Sequence, residues 1–571
     1  MCVALVLAGC VGLFGRGYWT PDEPREADIA WRMSFQPDKA VPLLAGEAFC
    51  EKPPLTYWVS GAAIGRFGAA AWAARLPNLL YGLITALGVG WLARRSAGAW
   101  AGWIAAAAIS TFLLSYQVTI WLASDAPLLA ATAVALLGAY AGFYADSSGR
   151  RLGAYTLMHG ALALGFLSKS AAAWMVPALT LLTLVLWERR WRELWRFELY
   201  AGLLLQAAVI LTWVWFVYAA PDGMAHLKVF FWNNLVGRFA HVDAPQALQY
   251  AAAHRNTPGK YLIESPVYLW PWTLLVIAAL RRAWRARRAP SDALRPVRFA
   301  LASSVPAIAL LSVAATARNI YVAPALPGLA LLLGWWGREI LVSADRWDLT
   351  ALRATAALEL AAIGVFGAAL TLTGIDQWAM LDAHAAFLGI SLLGLALAAV
   401  LAVQALRAAR PDSLPRALVL LLLGYCTLLI GPAAQLYRAV DAWQDLKRIG
   451  GEIRSDAAGR PLVLLAPDET TRALIDLYAS PVVRLVEGPI DAAALARLRA
   501  TLALAPGALV VVQLPGRDLS PFFARLAERA GRVPDATPTA SPEWAIAAGL
   551  RLAHRYGLPN GRRYALLEAA P

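Results

Sequence analysis

The chain has 571 residues, 59% of them hydrophobic and 15% charged, with a formal net charge of +14. Ordinary soluble domains carry roughly 25% charged residues, so the composition excludes a purely soluble protein and points to a multi-span membrane protein with soluble parts. Most of the positive excess is arginine in short loops between apolar runs, as membrane topology requires, so no nucleic-acid partner is expected. The four cysteines, Cys2, Cys10, Cys50 and Cys426, are scattered without a C-x-x-C pair, which argues against a disulfide framework or a cysteine metal cluster.

Leu7-Ala8-Gly9-Cys10 spells a lipobox. A lipoprotein signal also needs basic residues ahead of its apolar stretch, and Met1 to Ala8 has none, so this segment is read as a first spanning helix. A span needs about 20 apolar residues. Thirteen are predicted, near 1–15, 74–93, 99–115, 121–143, 155–168, 171–187, 199–219, 268–280, 299–316, 321–337, 354–373, 385–405 and 417–436. Loops after even-numbered spans carry the arginines: Arg94 and Arg95, Arg150 and Arg151, Arg189 to Arg196, and the dense run from Arg281 to Arg298. The opposite short loops hold little more than Lys169 and Arg318. Positive loops stay in the cytoplasm, which predicts a cytoplasmic N-terminus and an outer C-terminus.

Two long loops, 16–73 and 220–267, then fall on the outer side, and long ordered loops often carry function. From about residue 441 the pattern changes. Short apolar runs at Pro461–Leu465, Pro481–Val486 and Ala508–Gln513 read as buried strands, alternating with helical stretches near 469–479 and 490–504. The prediction is an all-α polytopic membrane domain over 1–440 with helices in its outer loops, followed by a small α/β domain over 441–571 outside the membrane.

The outer loops hold the polar motifs. The first begins Tyr18-Trp19-Thr20-Pro21-Asp22-Glu23-Pro24-Arg25-Glu26-Ala27-Asp28 and continues Glu51-Lys52-Pro53-Pro54-Leu55-Thr56-Tyr57-Trp58. The acid pair suits either a helix start or a catalytic site. Two prolines fix the backbone after Lys52, whose ammonium could meet a lipid phosphate or simply snorkel to the surface. Ser124-Asp125-Ala126-Pro127, Gly165 to Ser170 with Lys169, and Ala317 to Pro327 with Arg318 complete the set. An acid near the end of a membrane helix is expensive unless it is used or paired. Arginine counting puts all these motifs on one side. In the second loop His254 is a candidate metal ligand together with Glu51, and the basic residues there suit an anionic lipid head group.

These motifs resemble the first periplasmic loop of the protein mannosyltransferase-like superfamily with the GT-C fold, and more narrowly bacterial aminoarabinose transferases acting on lipid A. Arg66-Phe67-Gly68, Ala74-Arg75-Leu76-Pro77 and Tyr321-Val322-Ala323-Pro324-Ala325-Leu326-Pro327 also match. The resemblance covers roughly residues 1–440. It implies a bacterial inner-membrane enzyme with thirteen membrane helices, a polyprenyl-phosphate sugar donor, an inverting transfer and a lipid A or other periplasmic-face acceptor. It implies that Asp22 is the key acid with Asp125 second, that Arg25 and Lys52 meet the carrier phosphate, and that Glu51 and Lys52 lie near a divalent metal ion. Lys169 and Arg318 are further cations for that phosphate. Two departures stand out: Pro24 and Glu26-Ala27 replace the family's usual residues after the acid pair, and Ser170 replaces a common glycine after Lys169. The alternatives are sugar transfer to protein serine or threonine hydroxyls and, in a different class, transport of a lipid-linked sugar. Transporters often show repeats and midplane ionisable residues, and neither pattern is evident here.

Overall fold

The computed structural model describes residues 2–238, 242, 257–288, 291–314, 318–377, 385–479, 483–515 and 542–570. Among the described residues eight helices are long and apolar enough to cross a membrane, or ten if two bent pairs each count as one span. The pairs are Ala99–Thr111 with Leu113–Ile120, bent by 63°, and Lys260–Tyr268 with Thr273–Ala286, bent by 115°. Lipid offers no hydrogen bonds, so spanning backbone must satisfy itself as helix.

Small residues set how closely these helices approach. Asp125–Phe143 and Ser148–Lys169 form an antiparallel pair. A Cβ on Gly138 would lie 2.6 Å from the Ala154 carbonyl oxygen, so only glycine permits this packing. The same pairing brings the start of one helix beside the end of the next, and therefore Asp125 beside Lys169.

The first loop folds as helix Asp22–Phe35, a short hairpin of β1 (Leu43–Leu44) and β2 (Glu47–Ala48), and helix Leu55–Phe67. Helix Asp22–Phe35 is rich in charge, yet Glu23, Arg25, Glu26 and Asp28 are all buried. Asp22 and Glu23 sit in the first turn and Arg32 in the last, matching the helix dipole. Ala27, Ala30 and Met33 supply its apolar seam. Gly61 of the second helix meets this one so closely that a Cβ there would lie 2.8 Å from the Ala30 carbonyl oxygen.

The C-terminal segment contains a five-stranded sheet in the order β4-β3-β5-β7-β6. Its strands are β3 (Leu462–Leu465), β4 (Val483–Val486), β5 (Leu509–Leu514), β6 (Leu550–Gly557) and β7 (Arg563–Ala569). The first three, at the runs read as strands from the sequence, are parallel, and β7 and β6 add an antiparallel edge that the sequence reading missed. Strand alternation separates two cores. Leu462, Leu464, Leu509 and Val511 face helices Leu446–Ala457 and Glu469–Tyr478, while Val463, Leu465, Val510 and Val512 face helix Ala492–Ala503.

Candidate active site

Helix Asp22–Phe35 presents two neighbouring acids in different surroundings. Glu23 is fully buried and binds both Arg16 and Arg75, at 2.6 and 2.8 Å. It also accepts from the backbone N–H groups of Trp19 and Leu122, each at 2.9 Å. Burial works to raise its pKa, but the two guanidiniums win and hold it down to about 2. Every oxygen lone pair here has a fixed donor, so Glu23 is a structural tie between the first loop and the bundle.

Asp22 points the other way. Its carboxylate accepts from Arg318 at 2.8 and 3.0 Å and from Arg25 at 3.2 Å. Arg318 keeps 42% of its side chain exposed. Burial favours the neutral acid at Asp22, yet Arg25, Lys52 and Arg318 outweigh it and hold the carboxyl below its ordinary range. One turn on, Glu26 accepts from Lys52 at 2.5 Å, from Arg25 at 2.7 Å and from the Tyr57 hydroxyl at 2.9 Å. Burial again opposes its ionisation, and Lys52 and Arg25 together bring it down to about 2. Arg25 also reaches Glu469 at 2.5 Å.

Asp125 and Lys169 form a second pair at 2.5 Å, with the Lys169 ammonium 4.6 Å from the centre of the Tyr321 ring. The Tyr321 backbone N–H donates to the Arg318 carbonyl at 3.0 Å, so this turn joins the two halves of the cluster. The residue after Lys169 is Ser170, with φ +54° and ψ −146°, a conformation that suits glycine.

Glu51 stands near enough to act on Arg25, and its backbone carbonyl accepts from the Asn234 side chain. Asn234 belongs to a π-helix at Lys228–Leu235. Among the described residues no three His, Cys, Asp or Glu side chains converge as a metal site, and Asp22, Glu26 and Asp125 are already paired with cations. His254 lies outside the described residues.

Asp22, Arg25, Lys52 and Arg318 thus come together as expected, with Asp125 and Lys169 beside them. Sequence reasoning missed Glu26 and Tyr57 as partners, and missed Glu469 altogether. One signal for Glu469 exists in the sequence: Arg25 and Arg32 are seven apart, as are Glu469 and Asp476. A seven-residue step returns to the same face of a helix, so two matched rungs were there to be noticed.

The architecture is a polytopic helical membrane fold with a charged cluster at one end and a C-terminal α/β segment closing against it. The crystal structure of ArnT from Cupriavidus metallidurans bound to undecaprenyl phosphate has this fold. It matches with a TM-score of 0.69 at 21% identity, covering 99% of this chain and 96% of that one. The apo form of the same protein matches with a TM-score of 0.68 at 20% identity, covering 100% of this chain and 98% of that one. A family model described as dolichyl-phosphate-mannose-protein mannosyltransferase matches residues 51–216, which takes in Glu51, Lys52, Asp125 and Lys169. The chain is similar to the undecaprenyl phosphate-alpha-4-amino-4-deoxy-L-arabinose arabinosyl transferase of Edwardsiella ictaluri, 29% identical over 60% of this chain and 59% of that one. It is also similar to the same-named protein of Pseudomonas paraeruginosa, 30% identical over 58% of each chain. The match thus spans under two thirds of the length of these relatives.

Proposed function

We propose that this chain is an inner-membrane glycosyltransferase that moves 4-amino-4-deoxy-L-arabinose, or a closely related sugar, from undecaprenyl phosphate to a lipid A phosphate, with inversion. Orientation follows the arginine asymmetry: cytoplasmic N-terminus, with the cluster and the C-terminal segment periplasmic. Thirteen crossings are part of the proposal, because helices Cys2–Val11, Ser148–Lys169 and Ala172–Glu188 add three to the ten spans above. A boundary near residue 440 is supported by the separate cores on either face of the sheet.

One observation carries the reading. A carboxylate kept ionised, Asp22, stands among Arg25, Lys52 and Arg318 at the same end as the Asp125–Lys169 pair. Breaking the bond between the anomeric carbon and the carrier phosphate leaves an anion, and preplaced cations stabilise that charge as it develops. The sugar passes through an oxocarbenium-like state that a carboxylate stabilises. A carboxylate held below its ordinary range is a poor general base. That fits an acceptor phosphate, already anionic near neutral pH, better than a hydroxyl that must lose a proton. The protein-hydroxyl reading keeps one specific support, the description of the family model over 51–216.

The test is mass spectrometry of lipid A from cells carrying the wild-type chain, an Asp22→Ala variant, or neither. A pentosamine-sized addition present only with wild type supports the proposal. An unchanged lipid A, with the protein expressed and donor present, overturns it and directs the search to protein acceptors. A divalent ion on Glu51 and His254 is a separate proposal, and the metal content of purified wild-type and Glu51→Ala protein decides it.

A further inference from the structure

Helix Glu469–Tyr478 lies along helix Asp22–Phe35 in the same direction, and two rungs join them. Arg25 meets Glu469 at the start, and two turns later Arg32 meets Asp476 with a fork of 2.5 Å bonds to both carboxylate oxygens. Between those rungs sits Asp28, with no exposed surface. Its Oδ2 accepts from the Ala45 backbone N–H at 2.7 Å. Its Oδ1 has no donor at all, and the carboxyl it faces within hydrogen-bonding range is that of Asp476.

Two buried carboxylates cannot face each other in this way while both are ionised. The Arg32 guanidinium spans both oxygens of Asp476, so a negative charge on the pair is compensated on that side. Asp28 is the member that carries the proton, and an Oδ1–H donated to Asp476 satisfies the orphaned atom. The other groups reaching this helix do not compete. Arg32 acts on Asp28 while bound to Asp476, the hairpin donates the Ala45 N–H, and Tyr57 and Arg75 are bound to Glu26 and Glu23.

We propose that Asp28 and Asp476 share one proton that clamps the C-terminal segment to the helix bearing the site, making Asp28 a positioning residue for Asp22 and Arg25. Loss of that proton sets two buried negative charges against each other in the seam. Helix Glu469–Tyr478 then loosens, and with it the Glu469 contact that orients Arg25. The activity part rests on the active-site reading above; the shared proton does not.

Because the folded chain holds this proton to higher pH than the unfolded chain, the stability it gives is complete below the ordinary aspartate range. It is lost as pH rises through the folded-state titration. Asp28→Asn supplies a permanent N–H in the same place and still accepts from Ala45. The experiment compares full-length wild type, Asp28→Asn and Asp476→Asn in lipid nanodiscs across pH. The wild-type Tm is expected to fall with rising pH while that of Asp28→Asn falls less. The infrared absorption of a protonated buried carboxyl is expected in wild type and should weaken in both variants. The alkaline limb of kcat is expected to move to higher pH in Asp28→Asn. Parallel Tm profiles with unchanged infrared absorption overturn the shared proton. The expected Tm and infrared behaviour with superimposed kcat profiles overturns the positioning role. If wild type and Asp22→Ala are equally inactive, the active-site reading has failed, and the clamp stands or falls on Tm and infrared alone.

Discussion

Glu23 and Asp22 are neighbours in sequence and differ in everything that matters. One helical step, about 100° of rotation, turns Glu23 into the bundle and Asp22 toward the open side. Glu23 is enclosed by two arginines and two backbone donors, and nothing from solvent can replace them. Asp22 is held by Arg25 and by Arg318, whose exposed side chain can let go. An acid with immovable partners builds structure, whereas an acid with exchangeable partners can meet a substrate.

The largest expected effect breaks the locked side. Glu23→Gln leaves Arg16 and Arg75 buried without their counter-charge, a loss of about 3–5 kcal/mol, seen as a large drop in Tm or failure to accumulate. The same residue sets an acid limit. Its pKa is depressed on folding, so the stability it gives is present above the ordinary glutamate range and is lost as pH falls from there toward about 2. The wild-type Tm should decline through that window.

Next comes the open side. Asp22→Asn should leave Tm nearly unchanged and lower kcat roughly a hundredfold to a thousandfold, as removal of one preorganised electrostatic group does. Steady-state transfer to purified lipid A checks it. Equal destabilisation by the two substitutions would erase the distinction between the neighbours.

A smaller effect sharpens the contrast. Strain gathers at functional positions and costs about 1–3 kcal/mol, and Ser170 carries such a backbone beside Lys169. Ser170→Gly should raise stability by an amount within that range, seen as a higher Tm, and a simultaneous fall in kcat would tie the strain to the site. At the low end, Asp146 and Arg150 form an exposed ion pair. Asp146→Ala should leave both Tm and transfer unchanged, since such pairs are screened by water and salt.

Much of the site was legible because its residues lie in compact motifs that arginine counting places on one side. Asp22, Arg25, Lys52, Asp125, Lys169 and Arg318 do gather. Strands β3, β4 and β5 were legible as short apolar runs. Strands β6 and β7 were not assigned from sequence: Leu550–Gly557 is interrupted by Arg551, His554 and Arg555, and Arg563–Ala569 is bounded by charge at Arg563 and Glu568.

The sequence by itself determined the polytopic helical class and the change of pattern near residue 441. Hydropathy and loop charge are local properties, and local properties survive in a one-dimensional reading. Tertiary structure decided which acid is locked and which is open, that Glu469 reaches Arg25, and that Asp28 faces Asp476. The first depends on partners up to 296 residues apart and the other two on partners more than 400 apart, and only packing of the two helices determines which charges share a buried space.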